Sequence, residues 1–252
     1  MKLLPLSLLA VCSLAAGTAS AVNYNGNAAT GFGGTVGNGV LSVTSTSTNI
    51  NFSFTAGGGL DNVVAFYLDT TPGGFASTSS FTDTADGGRT ALSGFNPNEN
   101  GGVGARTTAT FPTGFGADYG ITLEGGYAGS FLLSTGTFQN PVSANLTANG
   151  NVYTFSVLRS TLGLSATAGF RFVASYISPT AYRSNETIGA STTTVDPNNT
   201  GTMPNAGFSG TQTFTAANVF PAVPEPGSLA CVGLGAVALA GAAVRRVRRS
   251  AA

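Results

Sequence analysis

The sequence predicts an all-β fold, an antiparallel β-sandwich, and three observations carry the prediction. Short segments rich in Val, Ile, Phe, Tyr and Thr recur along residues 22–221, separated by clusters of Gly, Asn and Pro, the pattern of strands joined by turns. Only 8% of the 252 residues are charged and 36 are glycine, against roughly 25% charged and half as much glycine in ordinary soluble proteins. That composition excludes a coiled coil or a long-helix protein. No window outside the two ends sustains a helical period. The length suits one domain of about 200 residues flanked by terminal signals.

The first of those signals is residues 1–21. Lys2 is followed by an apolar run over 3–16 and then by Ala19-Ser20-Ala21, the small-x-small pattern cut by signal peptidase. A mature chain beginning at Val22 is expected, delivered through the Sec translocon. The apolar run is shorter than the ~20 residues of a membrane anchor and lacks a stop-transfer flank.

Strand signals follow in order. Residues 49–55 alternate cleanly, with Ile50, Phe52 and Phe54 on one face and Asn51, Ser53 and Thr55 on the other. Residues 152–157 repeat the pattern through Tyr153, Phe155 and Val157. Residues 62–68, 121–123, 130–133, 170–177 and 212–215 are further strand candidates. Turns are written as Gly57-Gly58-Gly59, Pro72-Gly73-Gly74, Asp86-Gly87-Gly88, Asn96-Pro97-Asn98 and Asp196-Pro197-Asn198. Residues 73–102 and 187–205, weakly apolar, are expected to be long loops. Ser/Thr-rich runs at 42–48 and 191–194 read as short polar strands or as glycan acceptors.

The C-terminal end, 222–252, has three parts. Val223-Pro224-Glu225-Pro226 is a stiff, extended peptide, because two prolines fix the backbone and remove two donors. Residues 228–244 carry no charge and as a helix span about 25 Å, close to the ~30 Å hydrocarbon core of a bilayer. This span is mostly Ala and Gly, hence a weak anchor. Arg245, Arg246, Arg248 and Arg249 then form a basic cluster that resists translocation, which keeps the tail cytoplasmic and the body outside. In this order the segment resembles the PEP-CTERM sorting signal of Gram-negative bacteria. The resemblance implies that a membrane enzyme, exosortase, recognises Pro224, Glu225 and Pro226 and cuts near them. It also implies a cell that makes exopolysaccharide, biofilm or floc matrix.

A second resemblance lies in the body. Residues 62–75, a strand running into a tight turn, then 111–121 and 159–164, follow one another as in jelly-roll, DOMON-like or carbohydrate-binding β-sandwich modules, over about residues 40–216. Sugar platforms favour flat aromatics, and the chain has no tryptophan. Tyr67, Tyr119, Tyr127, Tyr153, Tyr176 and Tyr182 are the substitutes, most of them in strand patterns that favour burial.

Several chemistries are excluded by composition. Without histidine there is no Ser-His-Asp or Cys-His site and no His-ligated haem or zinc. Cys12 and Cys231, the only cysteines, lie in the terminal signals, so no disulfide is expected. The net charge is zero over the chain, and Arg89, Arg106, Arg159, Arg171 and Arg183 stand singly, which reads as solvated surface and gives no nucleic-acid footprint. Asp83-Thr84-Ala85-Asp86-Gly87 together with Asp69 offers oxygen ligands that calcium accepts; the spacing is not that of an EF-hand, and Asp beside Gly is also ordinary turn chemistry. Glu99, Glu124 and Glu186 are the only glutamates able to supply a glycosidase pair.

The sequence therefore points to an exported, exosortase-sorted β-sandwich, held briefly in the inner membrane and then placed at the cell surface or in the matrix. Its expected role is structural or adhesive in the envelope or exopolysaccharide, with no enzymatic activity and no resident cofactor, calcium apart. A carbohydrate-binding module is the alternative, and a secreted glycan hydrolase stands behind it.

Overall fold

Residues 21–99, 102, 104–189, 193–195 and 209–222 are described by the structure, a computed structural model. The expectations placed on Ala19, on the motif Pro224-Glu225-Pro226, on the span 228–244 and on the arginines beyond it lie outside the described residues. Among the described residues no helix is long and apolar enough to cross a membrane.

Alternation in the sequence becomes an outer sheet of five antiparallel strands in the order β1 (Val22–Asn25), β2 (Val40–Ser45), β3 (Asn49–Thr55), β11 (Val152–Leu158) and β10 (Thr147–Asn149). In β3 the residues Ile50, Phe52 and Phe54 are buried while their neighbours are not, and β11 alternates the same way. Period-two patterning of this kind buries one face and leaves the other to solvent. The hairpin from β10 to β11 closes on Gly150-Asn151, with Gly150 at φ 57°, a conformation that favours glycine.

Continuous apolar runs become a central sheet instead. Its order is β13 (Arg183–Ile188), β12 (Phe170–Ile177), β4 (Val63–Asp69), β7 (Tyr119–Leu123), β8 (Ala128–Leu132) and β9 (Gln139–Ala144), and β16 (Asn218–Phe220) pairs with β12 beside β13. Every residue of β4 from Val63 to Leu68 is buried. Val64, Phe66 and Leu68 pack with the inner face of the outer sheet, where the Phe52 ring lies 6.0 Å from Phe66 and 4.8 Å, stacked, from Phe155. Val63, Ala65 and Tyr67 point the other way, into a second core with Leu92, Ala109, Phe111 and Phe214. Each buried Val, Leu or Phe among these contributes roughly 1.5–3 kcal/mol of burial.

The second core requires a third layer, which extends the expected two-layer sandwich. It consists of a short helix and a four-stranded sheet in the order β14 (Thr193–Val195), β15 (Ser209–Phe214), β6 (Ala105–Thr110) and β5 (Phe95–Asn96). Here the antiparallel expectation is corrected, because β15 and β6 run parallel, Ser209 opposite Arg106 through Thr213 opposite Thr110. Strands so distant in sequence are not joined by a hairpin, so no tight turn imposes opposite directions.

The expected loop 73–102 is also corrected, since it contains β5 and the helix α1 (Gly87–Ser93). The Asp86-Gly87-Gly88 turn is the helix start: Asp86 accepts the Arg89 N–H at 2.9 Å, and Gly94, at φ 63°, closes the other end. Two glycines in the first turn suppress the helical signal. A Cβ at Gly88 would stand 2.6 Å from Glu124 Oε1, the movable end of a flexible side chain. The second expected loop, 187–205, yields the end of β13 and β14.

Surface exposure was expected of all five body arginines, and two of them overturn it. Arg159 and Arg183 are 1% and 0% exposed. Arg159 Nε donates to Ser165 O at 2.7 Å and its terminal nitrogen to Ala168 O. Arg183 Nη2 donates to Tyr67 Oη at 2.9 Å, in a network with Gln212 and Ser175. Backbone and side-chain oxygens replace water around most of the donors of these two guanidiniums.

Candidate functional sites: carboxylates, a terminal groove and an uncharged face

The three proposed calcium ligands do not converge. Asp83 is buried, accepts the Phe138 N–H at 2.7 Å and the Ala85 N–H at 3.1 Å, and faces Arg89 Nη1 at 3.5 Å. Asp86 caps α1 and meets Arg89 Nε at 3.1 Å. Asp69 sits at the end of β4, opposite Arg171 in register and paired with its guanidinium. Each carboxylate is satisfied by protein donors. Among the described residues no group of three or more acidic, histidine or cysteine side chains is placed to hold a metal ion. Helix capping, backbone hydrogen bonds and ion pairs engage the three residues of the calcium expectation, Asp69, Asp83 and Asp86, separately.

The three glutamates are engaged separately. Glu186 on β13 is fully buried. Its Oε1 accepts the N–H groups of Phe32 and Gly34 at 2.5 and 3.1 Å, and its Oε2 accepts those of Val36 and Gly37 at 2.7 and 3.1 Å. One carboxylate thus gathers four amides of the 32–37 loop into an anion cradle. Glu124 lies in the turn between β7 and β8, where burial, then the charge of Asp86, pushes its carboxyl above the ordinary value. Glu99 lies in the turn after β5, 3.5 Å from Asn96 Nδ2.

Of the six tyrosines considered for a sugar platform, Tyr67, Tyr153, Tyr176 and Tyr182 are buried, as their strand patterns imply, and Tyr119 is half-buried. Tyr67 donates to Leu92 O at 2.8 Å, and burial raises its phenol above the ordinary value. Tyr127 alone of the six is exposed, beside Glu124, Asn62 and Pro179.

A groove of ≈ 560 Å³ lies at the end of the body where the described chain stops. Asp69 and Arg171 form its polar wall, with Phe220 and Pro221 along the side contributed by β16. The Arg171 guanidinium pairs with Asp69, donates to Gly114 O and stands 5.6 Å from the Phe115 ring centroid. Asp118 holds the adjoining turn by accepting the Thr70 and Thr71 N–H groups, each at 2.9 Å.

The outward face of the outer sheet has a different chemistry. None of its five strands contains Asp, Glu, Lys or Arg. Register aligns Thr147, Thr154, Ser53, Ser42 and Asn23 in one row across all five strands. A second row runs Ser156, Asn51 and Thr44, joined by hydrogen bonds: Ser156 Oγ donates to Asn51 Oδ1 at 2.7 Å, and Asn51 Nδ2 donates to Thr44 Oγ1 at 3.4 Å. Between them lies a shallow groove of ≈ 310 Å³. Sequence reading found the alternation of β3 and β11 but not the rows, which exist only once the register is known.

Comparison with known proteins separates the tail from the body. No curated protein and no solved structure matches the chain, so the DOMON-like resemblance of the body stays faint. The PEP-CTERM protein-sorting motif matches residues 222–249. It begins two residues beyond β16, the last strand among the described residues. The chain carries a PEP-CTERM sorting motif, which implies export, membrane transit and exosortase as its processing partner.

Proposed function

We propose that this protein is an exported, non-enzymatic component of the cell envelope or exopolysaccharide matrix of a Gram-negative bacterium, placed there by exosortase. Signal peptidase removes residues 1–21 after Sec-dependent translocation. The span 228–244, backed by Arg245, Arg246, Arg248 and Arg249, then holds the chain in the inner membrane until exosortase cuts near Pro224, Glu225 and Pro226. The body that remains acts structurally or adhesively.

One observation supports this reading above the others: the sorting motif starts at residue 222 while the last described strand ends at Phe220. A cut near Glu225 removes only the tail and leaves every described strand on the released product. The lack of histidine, the placement of Glu99, Glu124 and Glu186 on separate elements, and the low charge support a role in contact rather than in catalysis. Replacing Pro224, Glu225 and Pro226 together with alanine tests the proposal in the producing cell. The variant is expected to accumulate uncut in the membrane fraction while the wild type appears shortened outside the cell; an identical shortened product from both would contradict it.

A further inference from the structure

We propose that the uncharged outer face formed by β1, β2, β3, β11 and β10 is a binding surface for a neutral polysaccharide. The inference deepens the matrix reading, on which it rests for the class of ligand.

An exposed sheet face in a soluble protein ordinarily carries mixed Lys and Glu, which keep it soluble and discourage association. Here the exposed or half-buried side chains of the two rows are all Ser, Thr or Asn. Hydroxyl and amide groups both donate and accept hydrogen bonds, the same complement that sugar hydroxyls present. A charged glycan would find no counter-charge on these strands. A second copy of the chain would find no apolar centre such as stable interfaces have, because the larger apolar side chains of this face, Val40, Val152 and Leu158, lie outside the two rows.

Geometry favours an extended polymer over a single sugar. Row positions repeat about every 4.8 Å from strand to strand and about every 6.6 Å along a strand, a spacing of the order of one pyranose unit. The Ser156–Asn51–Thr44 hydrogen bonds fix three of these side chains in advance, which lowers the entropic cost of binding. Without an aromatic stacking partner each contact is weak, so binding is expected to a polymer that engages many positions or many protein copies at once.

The test is affinity electrophoresis of the full-length chain in a non-glycosidic detergent, so that it does not depend on cleavage. Gels contain hydroxyethylcellulose, galactomannan or dextran as neutral polymers, or alginate as an anionic one. Retardation is expected in at least one neutral gel and not in alginate. In pull-downs on the same polymer, binding should persist from low to high salt, because no ion pair contributes. Thr154→Lys with Ser156→Lys is expected to weaken binding about tenfold, the value of one or two lost hydrogen bonds. Ser42→Lys with Thr44→Lys, on a different strand, should do the same, and Tyr127→Ala should not. Thermal unfolding identifies any variant that fails to fold. No retardation in any neutral gel, retention unaffected by both lysine pairs, loss through Tyr127→Ala instead, or an oligomer dissolved by the lysine pairs without any polysaccharide effect would each overturn the proposal. Failure here with normal cleavage in cells would leave the sorting reading intact, and the reverse result would leave the surface intact.

Discussion

β3 and β4 are both seven residues long, follow one another in the chain, and meet through Phe52 and Phe66, yet they obey different rules. β4 is buried on both faces from Val63 to Leu68, so packing dictates every one of those side chains. β3 is buried on one face only, which leaves Asn49, Asn51, Ser53 and Thr55 unconstrained by the core. Where the fold does not choose the residue, something else does, and across five strands the choice excludes every charged type. Packing thus constrains both faces of the central strand but only one face of the outer one, which leaves the outer face free for the contact role proposed above.

Substitutions can break that contrast, and the largest effect is expected on the central side. Glu186→Ala strands four N–H donors of the 32–37 loop, three of them buried; at about 1–3 kcal/mol for each buried donor, the loss is expected to exceed about 3 kcal/mol. Urea denaturation, or the failure to obtain folded protein, reads it. Phe66→Ala opens a cavity between the outer and central sheets and is expected to cost about 3–5 kcal/mol by the same measurement. Asp86→Ala removes the cap of α1, an expected loss of about 1 kcal/mol, whereas Asp86→Asn retains the cap and most of the stability.

The smaller effects sharpen the comparison. The folded protein holds the Glu124 carboxyl above its ordinary 4.5 through burial and the nearby Asp86 charge. The neutral form is therefore favoured by folding, and this contribution is complete below pH 4.5 and is lost as pH rises through the raised folded value. Glu124→Gln is expected to match the wild type in acid and to gain slightly on it towards neutral pH, seen as diverging melting temperatures. Thr154→Lys on the outer face is expected to change stability by no more than about 0.5 kcal/mol, while still weakening polysaccharide binding. An effect on stability as large as that of Phe66→Ala would abolish the distinction between the two sheets.

How much of this was legible from sequence depended on whether a signal was local. The bounds 49–55 and 170–177 coincide with β3 and β12 because alternation or continuous apolarity is written within each strand. β9, Gln139–Ala144, carries almost no apolar pattern and includes Pro141; it is an exposed edge strand defined by its pairing with β8. β6 buries Ala105, Thr107 and Ala109, side chains too small to register as a hydrophobic face. The helix was hidden by Gly87 and Gly88. Glu186 reads as an ordinary polar residue between Asn185 and Thr187, and its partners lie about 150 residues away; the glycine-rich stretch Gly31–Gly37, with its many unencumbered amides, was the only hint. The rows of the outer face combine strands from residues 22–55 and 147–158 and were invisible for the same reason. The sorting motif, in contrast, was fully legible, because its proline pair, apolar stretch and arginines are contiguous.

The central claim is that cells export this chain and cut it at that motif, and intact-mass measurement of the protein recovered from the extracellular fraction tests it most directly. The account predicts a species that begins at Val22 after signal-peptidase cleavage and ends near Pro224, Glu225 or Pro226, without residues 228–252. An uncut chain in the cytosol, or a released form that still carries Arg245 to Arg249, would contradict it.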